Sequence, residues 1–375
     1  MLFSQSLDMA IKILHINNFF FPFVAGPSKH MIDVIRFTFS QENHSVVSLD
    51  RNDQLKEIDE WEGIPVRRFS EFPLEDARRY FHLGGEAADE IRRFVEYIRA
   101  FKPTCVVLYF IGVLPLLIRC ALPEIKMVFL PFGFETGDFL NEYRTPRIKI
   151  ALCGDGCYKD YISEGALPDQ MFIMERPINT RFYTPLEIPR DPYRLLFVGR
   201  FHPVKRIPAM INTLAPVFSD HSKLHLHIVA DTNTGLYSKA VENELACVHE
   251  AIKKNELADR VIFRGKKVGE DLLREYSEAS IHLLPSKYER RATVVQEAIT
   301  MGMQCINTCK RACDWPEYAE DGRRLIHYVD EVEDMIPTLR ELLEQGSLPS
   351  NRDYALKHWS WDIWKPAYEK LMMEW

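Results

Sequence analysis

The sequence has no run of about 20 uncharged apolar residues, which is the length that a helix needs to cross a bilayer. The longest apolar run, from Cys105 to Ile118, is typical of a buried strand that continues into a loop or helix. Residues 1–8 lack the charged region and cleavage site of a secretory signal peptide, and we interpret them as a leader or disordered segment. We therefore expect no membrane-spanning segment.

A surplus of basic residues is also absent. The 375 residues include 47 Lys and Arg against 54 Asp and Glu, which gives a formal net charge of −7. A protein that binds nucleic acid must neutralise phosphates with Lys and Arg, so no nucleic-acid partner is expected.

The eight cysteines form no CxxC motif and no Cys/His cluster with zinc spacing. The even spacing of Cys305, Cys309 and Cys313 is not typical of a thiolate metal cluster. We therefore expect reduced cysteines, a cytoplasmic protein, and no metal ion bound by cysteines.

A hydrophobic content of 46% and a length of 375 residues are typical of a globular protein with two domains. Short, nearly continuous apolar runs alternate with helical patterns along the chain, which indicates parallel strands buried on both faces by helices. The predicted strands are Ile11–Ile16, Val46–Leu49, Cys105–Tyr109, Lys126–Leu130, Arg194–Val198, Leu224–Val229, Val261–Phe263, Ile281–Leu284 and Cys305–Asn307. The predicted fold class is α/β, with two doubly wound, Rossmann-like domains.

The domain boundary is predicted from the segment 177–192, which contains four prolines among polar residues. We assign residues 9–188 to an N-terminal domain and 189–357 to a second domain. Sheets of this kind bind ligands at the carboxyl ends of their strands, so we expect a ligand site in a cleft between the domains.

Two glutamates mark the most informative segment, which follows the predicted strand Ile281–Leu284. Glu289 lies in the loop after the strand, and Glu297 lies about one turn inside the next helix. The amide groups of Ala292, Thr293 and Val294 begin that helix and favour an anion. This arrangement suits a sugar nucleotide, because carboxylates accept hydrogen bonds from hydroxyls while the helix terminus binds phosphate.

A second charged segment follows the strand Arg194–Val198. Gly199 ends the strand, and Arg200 and Lys205 can neutralise a diphosphate as it leaves. Gly26, in the loop after the first strand, allows close approach of backbone to a ligand. Each feature alone is also typical of a solvated loop, a helix start or a turn. Their combination favours a ligand site.

These residues resemble a known family. The chain is similar to the retaining glycosyltransferases of the GT-B fold, and specifically to glycosyltransferase family 4, over residues 10 to 375. The motifs that carry the resemblance are Gly26…His30, Asn43–Val46, Lys102–Pro103, Pro177–Phe182, Val198–Gly199–Arg200…Lys205, Phe263–Gly265, Pro285–Ser286…Glu289…Glu297–Ala298 and Trp359–Asp362.

The resemblance implies roles for individual residues. Glu289 would contact the transferred sugar, Glu297 the ribose, and Arg200 with Lys205 the diphosphate; these cations and Glu289 would be the catalytic residues. The other implied donor-binding residues are Gly26, Gly199, Val268, Arg290, Arg291, Ala292, Thr293 and Val294. Residues 358–375 would form a helix that crosses back to the N-terminal, acceptor-binding domain.

The resemblance also implies the reaction. A UDP- or GDP-sugar would donate its sugar to a hydroxyl of a glycan, lipid-linked or small-molecule acceptor, with retention of configuration and without a metal, another cofactor or a protein nucleophile. Polysaccharide biosynthesis is the process expected from this resemblance.

The chain departs from the family pattern at three places. Arg290, Arg291 and Ala292 replace Gly-Phe-Gly, Arg206 replaces a glycine, and Phe132 replaces a histidine. One hypothesis is that Arg290 or Arg291 recognises an acidic donor sugar or a phosphate. The alternatives are an inactive GT-B paralogue that serves as a binding subunit, and a nucleotide-sugar epimerase or phosphorylase on the same fold.

Basic and aromatic residues occur together in the N-terminal half at Arg78–Phe81, Arg92–Phe94 and Arg99. One interpretation is peripheral contact with the inner face of the membrane, where lipid-linked acceptors are found. The other is a solvated helix face, because Ile91, Val95 and Ile98 already form an apolar stripe for the core.

Overall fold

The structure, a computed structural model, describes residues 11–22, 26–70, 85–110, 112, 114–131, 147–163, 166–231, 239–289, 291–309, 315–346 and 348–374. The chain divides into two compact units. One comprises Met1–Glu175 with Trp364–Trp375, and the other comprises Arg176–Ile363. The division at residue 175 precedes the proline-containing segment in which the sequence places the domain boundary.

The first unit contains an eight-stranded sheet among its described residues, with the order β3-β4-β2-β1-β5-β6-β7-β8. The strands are β1 Ile13–Asn17, β2 His44–Ser48, β3 Ile58–Trp61, β4 Ile64–Arg68, β5 Cys105–Leu108, β6 Lys126–Phe129, β7 Ile148–Leu152 and β8 Met171–Ile173. Neighbouring strands are parallel except for the antiparallel pair β3–β4. β1, β2 and β5 are buried along their whole length, as a central sheet covered on both faces requires.

Helices cover this first sheet. They are α1 Gly26–Phe37, α2 Glu86–Phe101, α3 Leu114–Ala121 and α4 Asp155–Ser163, followed at the end of the chain by α11 Trp361–Met373. On α11, the hydroxyl of Tyr368 lies 3.2 Å from His30 Nε2 and donates to the carbonyl of Glu175 at 3.2 Å. The end of the chain therefore packs within the first unit.

The second unit contains a six-stranded sheet with the order β11-β10-β9-β12-β13-β14, and its pairs are parallel. The strands are β9 Asp191–Val198, β10 His225–Val229, β11 Val261–Phe263, β12 Ala279–Leu284, β13 Gln304–Asn307 and β14 His327–Tyr328. The helices are α5 Ile207–Asp220, α6 Lys239–Lys254, α7 Gly269–Glu278, α8 Thr293–Thr300, α9 Met335–Gln345 and α10 Arg352–His358. β9 and β12 are neighbours at the centre of the sheet, so the loops that follow them share one edge.

The structure confirms the predicted α/β class with two mainly parallel sheets. Each predicted strand is present, with ends that differ by a few residues. The hairpin β3–β4 and the strands β7, β8 and β14 are additions that the sequence reasoning missed.

Candidate functional site

The candidate site lies at the carboxyl ends of β9 and β12. The two strands run in parallel register, with Leu195 opposite Ile281 and Leu196 opposite His282. The loop that follows β9 and the loop that follows β12 therefore emerge side by side. This position in a parallel sheet is where doubly wound folds bind ligands.

Local packing shapes the loop after β9. A side chain at Gly199 would place its Cβ 2.9 Å from the ring of Phe197, so any larger residue here would require that ring to shift. His202 Nδ1 accepts a hydrogen bond from Val204 N at 3.2 Å, which caps a short 3-10 turn over Pro203–Lys205. The turn directs Lys205 towards the neighbouring loop.

Arg206 follows this turn in the left-handed region, with a φ of 50°. This conformation favours glycine, the residue that the resembling family has at this position. The arginine is held there by its side chain, because Nε donates to the carbonyl oxygen of Pro285 at 2.7 Å and a terminal nitrogen lies 3.2 Å from Glu331.

The two loops meet at Glu289. Its carboxylate forms an ion pair with Lys205 and accepts a hydrogen bond from the Ser286 hydroxyl at 2.6 Å. The backbone also joins the loops, because Lys287 N donates to the carbonyl of Val204 at 2.8 Å. The side chains of Lys205 and Glu289 are only 14% and 13% exposed, so water screens their attraction weakly. The structure thus brings together two of the predicted catalytic residues.

Helix α8 begins beside this contact. Ala292 is its N-cap residue, Thr293 and Val294 form its first turn, and Glu297 lies one turn inside the helix as predicted. Glu297 is buried, and its Oε2 accepts a hydrogen bond from the Tyr276 hydroxyl at 2.7 Å. Burial, with a contribution from Glu297, raises the pKa of Tyr276 well above its ordinary value, so the phenol remains protonated and donates.

Arg291 is buried at the same edge, and its guanidinium lies 4.7 Å from the ring centre of Trp315. The ring gives the buried guanidinium a cation–π partner. Arg290 lies outside the described residues.

The sequence also predicts site residues that do not belong to this contact. Arg200 is exposed, and in the described part of the chain its side chain has no ion pair. Val268 is exposed at the N-cap of α7. Gly26 is the first residue of α1 in the first unit, whereas the other predicted donor residues belong to the second unit. Phe132 lies outside the described residues.

Sequence reasoning missed three polar residues around the site, namely Ser286, Tyr276 and His282. His282 lies on β12 and is fully buried, and neither ring nitrogen has a hydrogen-bond partner within the described ranges. Burial, together with the positive charge of Lys205, lowers the pKa of His282 to about 3. Ser286 lies three residues before Glu289 in the same motif, so the sequence could have indicated it. No local pattern relates Tyr276 or His282 to this site.

The basic residues considered for membrane contact are partly paired. Arg92 lies 2.7 Å from Asp89, and Arg93 forms ion pairs with Glu57 and Glu90. Residues 78–81 lie outside the described residues. In the portions of the chain that the structure describes, no helix has the length and apolar character needed to span a bilayer.

Comparison with known proteins places this geometry in context. Residues 192–345 match the family model described as glycosyl transferases group 1. No curated protein matches the chain.

Solved structures match almost the whole chain at low sequence identity. HepE from Anabaena in complex with UDP and glucose has a TM-score of 0.76 at 12% identity, covering 97% of this chain and 100% of its own. Sucrose-phosphate synthase from Thermosynechococcus elongatus has a TM-score of 0.72 at 14% identity, covering 96% and 98%. The lipopolysaccharide outer core galactosyltransferase WaaB has a TM-score of 0.65 at 17% identity, covering 96% and 99%.

The structural matches show the GT-B fold, and the family model covers the unit that contains the Lys205–Glu289 contact. Residues 192–345 therefore match the glycosyl transferases group 1 model, and the chain has the GT-B fold.

Proposed function

We propose that the chain transfers a sugar from a nucleotide-sugar donor to an acceptor hydroxyl, and that the second unit binds the donor. The observation that carries this proposal is the meeting of Lys205 and Glu289 at the carboxyl ends of two adjacent parallel strands. A cation and a carboxylate in contact provide, side by side, a partner for a phosphate and a partner for sugar hydroxyls.

The diphosphate is the most demanding part of such a donor, because negative charge develops on it as the sugar departs. Lys205 supplies a nearly buried positive charge at this point, and Arg200 adds an exposed one on the same loop. A charge held in a partly desolvated site stabilises a developing anion more strongly than one in water. In this proposal these side chains balance the charge without a metal ion, so activity should persist in EDTA.

The nucleoside would be bound beyond the diphosphate. Tyr276 holds the buried carboxylate of Glu297 in one position, which suits a bidentate contact with the two ribose hydroxyls. Val268, exposed at the start of α7, would contact the base. Because HepE was solved with UDP and with UDP-glucose, a uridine diphosphate sugar is the first donor to test, and a GDP-sugar is the second.

The proposed reaction retains the configuration of the sugar. The bond between the anomeric carbon and the phosphate oxygen breaks, a bond from that carbon to the acceptor oxygen forms on the same face, and the acceptor proton passes to a phosphate oxygen of the leaving group. Glu289 positions the sugar and does not form a covalent bond with it. The acceptor classes in this proposal are a glycan, a lipid-linked glycan and a small molecule.

A thermal-shift panel of nucleotide sugars tests the donor, because a ligand that binds only the folded state raises the midpoint of unfolding. With the donor identified, Glu289→Ala should lower the rate of transfer by at least about 100-fold while the protein remains folded. The matched control is Glu250→Ala, which removes an exposed carboxylate from α6. Full activity in Glu289→Ala, or no shift with any nucleotide sugar, would contradict the proposal.

A further inference from the structure

We propose that Cys309 is a positioning residue, whose thiol holds the backbone of Glu289 so that its carboxylate faces Lys205. The inference rests on the proposed function, because it concerns the same site. It assigns a role in the transfer step to a side chain that touches neither the sugar nor the phosphate.

The contact involves both polar groups of the Glu289 backbone. Glu289 N donates a hydrogen bond to Cys309 Sγ at 3.1 Å, and the carbonyl oxygen of Glu289 lies 3.9 Å from the same sulfur. Cys309 is 6% exposed, so little water competes for these groups. A loop amide in such a position needs a partner from the protein, and here the partner is a thiol.

The sulfur is itself held in place by the end of β13. Cys309 N donates to Asn307 Oδ1 at 2.9 Å. Thr308 N donates to the carbonyl of Leu284 at 3.1 Å, and the Thr308 hydroxyl donates to the carbonyl of Ser286 at 2.8 Å. Thr308 and Cys309, the two residues after β13, therefore hold the loop after β12 along its length, from the end of the strand to Glu289.

The opposite side of that loop is held by the loop after β9. Lys287 N donates to the Val204 carbonyl, and Lys205 pairs with the Glu289 carboxylate. Glu289 is thus fixed by its side chain from one side and by its backbone from the other. Removal of the thiol releases the backbone side alone, which allows the carboxylate to shift relative to Lys205. Displacement of a catalytic group by about 1 Å can cost about 100-fold in rate.

The size of sulfur explains why cysteine suits this position. Hydrogen bonds to sulfur are longer than those to oxygen, so the thiol spans a gap between Cβ and the Glu289 amide that a serine hydroxyl bridges less well. Cys309→Ser should therefore keep part of the contact with the Glu289 amide, whereas Cys309→Ala should lose it. The matched control is Cys305→Ala, because Cys305 is a fully buried thiol on β13 with no hydrogen bond to Glu289.

Amide hydrogen exchange tests the contact without any substrate. In Cys309→Ala the Glu289 amide should exchange about tenfold faster than in the wild type, whereas Cys305→Ala should leave it unchanged. Cys309→Ser should give an intermediate rate, and it serves as the test variant if the alanine variant does not fold. An unchanged rate in Cys309→Ala, or an equal increase in Cys305→Ala, would overturn the proposal.

A double-mutant cycle tests the role in transfer, with UDP-glucose as the donor and UDP release as the readout. If Cys309 acts through Glu289, Cys309→Ala should lower kcat by about tenfold in the wild type and have no further effect in Glu289→Ala. Binding of UDP should change by less than about twofold, since UDP lacks the sugar that Glu289 contacts. Equal effects in both backgrounds would overturn the inference, whereas a wild-type rate in Glu289→Ala alone would contradict the proposed function instead.

Discussion

Arg206→Gly should give a more stable protein than Arg206→Ala, although alanine is usually the less destabilising of the two substitutions. Arg206 has a φ of 50°, and a residue with a Cβ in the left-handed region costs roughly 1–2 kcal/mol relative to glycine. Both substitutions remove the side chain, so they lose the same contacts. They differ in the backbone cost, which only glycine relieves.

The lost contacts set the absolute effect. The hydrogen bond from Arg206 Nε to the buried carbonyl of Pro285 at 2.7 Å is assisted by charge and contributes about 1.5–3 kcal/mol. The ion pair with Glu331, a side chain that is 67% exposed, adds little. Arg206→Ala should therefore lower the free energy of unfolding by about 2 kcal/mol. Arg206→Gly should lower it by about 1 kcal/mol, because the relief of the backbone offsets part of the loss.

Thermal unfolding of the two variants measures the difference. For a unit of this size 1 kcal/mol corresponds to a shift in Tm of about 2–4 °C, and the glycine variant should have the higher Tm. The control is the same pair of substitutions at Glu250, an exposed residue of α6, where alanine should be the more stable by about 1 kcal/mol. If Arg206→Ala were as stable as Arg206→Gly, the left-handed conformation of this loop would be refuted.

Two further predictions concern buried groups near the site. Tyr276→Phe removes the hydrogen bond to Glu297 and should lower the free energy of unfolding by about 1.5–3 kcal/mol in a denaturant titration, and an unchanged midpoint would show that Glu297 has another sufficient donor. His282 has a pKa of about 3 in the folded protein, whereas an unfolded histidine has a pKa of about 6.5. Only the unfolded chain gains this proton as the pH falls from 6.5 towards 3, so His282 should lower stability by about 1.4 kcal/mol per pH unit in that window and have no effect above it. His282→Leu should remove this part of the pH dependence of Tm, and an identical slope in the variant would contradict the burial of a neutral ring.

The central strands could be predicted from the sequence because their apolar runs are nearly continuous, which is typical of strands that are buried on both faces. β9 and β12 are of this kind, and their burial leaves little alternative to a parallel sheet. The hairpin β3–β4 could not be predicted in this way. β3 is mostly exposed at the edge of the sheet and carries Asp59 and Glu60, so its sequence has no apolar run and depends on pairing with β4 for its structure.

At the candidate site, too, the sequence predicted what depends on local spacing and did not predict contacts between distant segments. The spacing of Glu289 and Glu297 is local, and it correctly indicated one loop residue and one residue a turn inside the helix. The partners of these glutamates are distant in sequence. Lys205 is 84 residues from Glu289, and Tyr276 is 21 residues from Glu297. Which polar groups surround a carboxylate depends on the order of strands in the sheet, and a pattern within one segment contains no information on that order.

Calorimetric titration of the chain with UDP and with GDP tests the proposed donor site most directly. We expect that one of them binds the wild type and that Lys205→Met weakens its affinity by roughly 10–100-fold, because a charge-assisted contact with the diphosphate is lost. Lys254→Met, which removes an exposed lysine at the end of α6, should leave the affinity unchanged. Equal affinities in the wild type and in Lys205→Met, or no binding of either nucleotide, would contradict the assignment of this site.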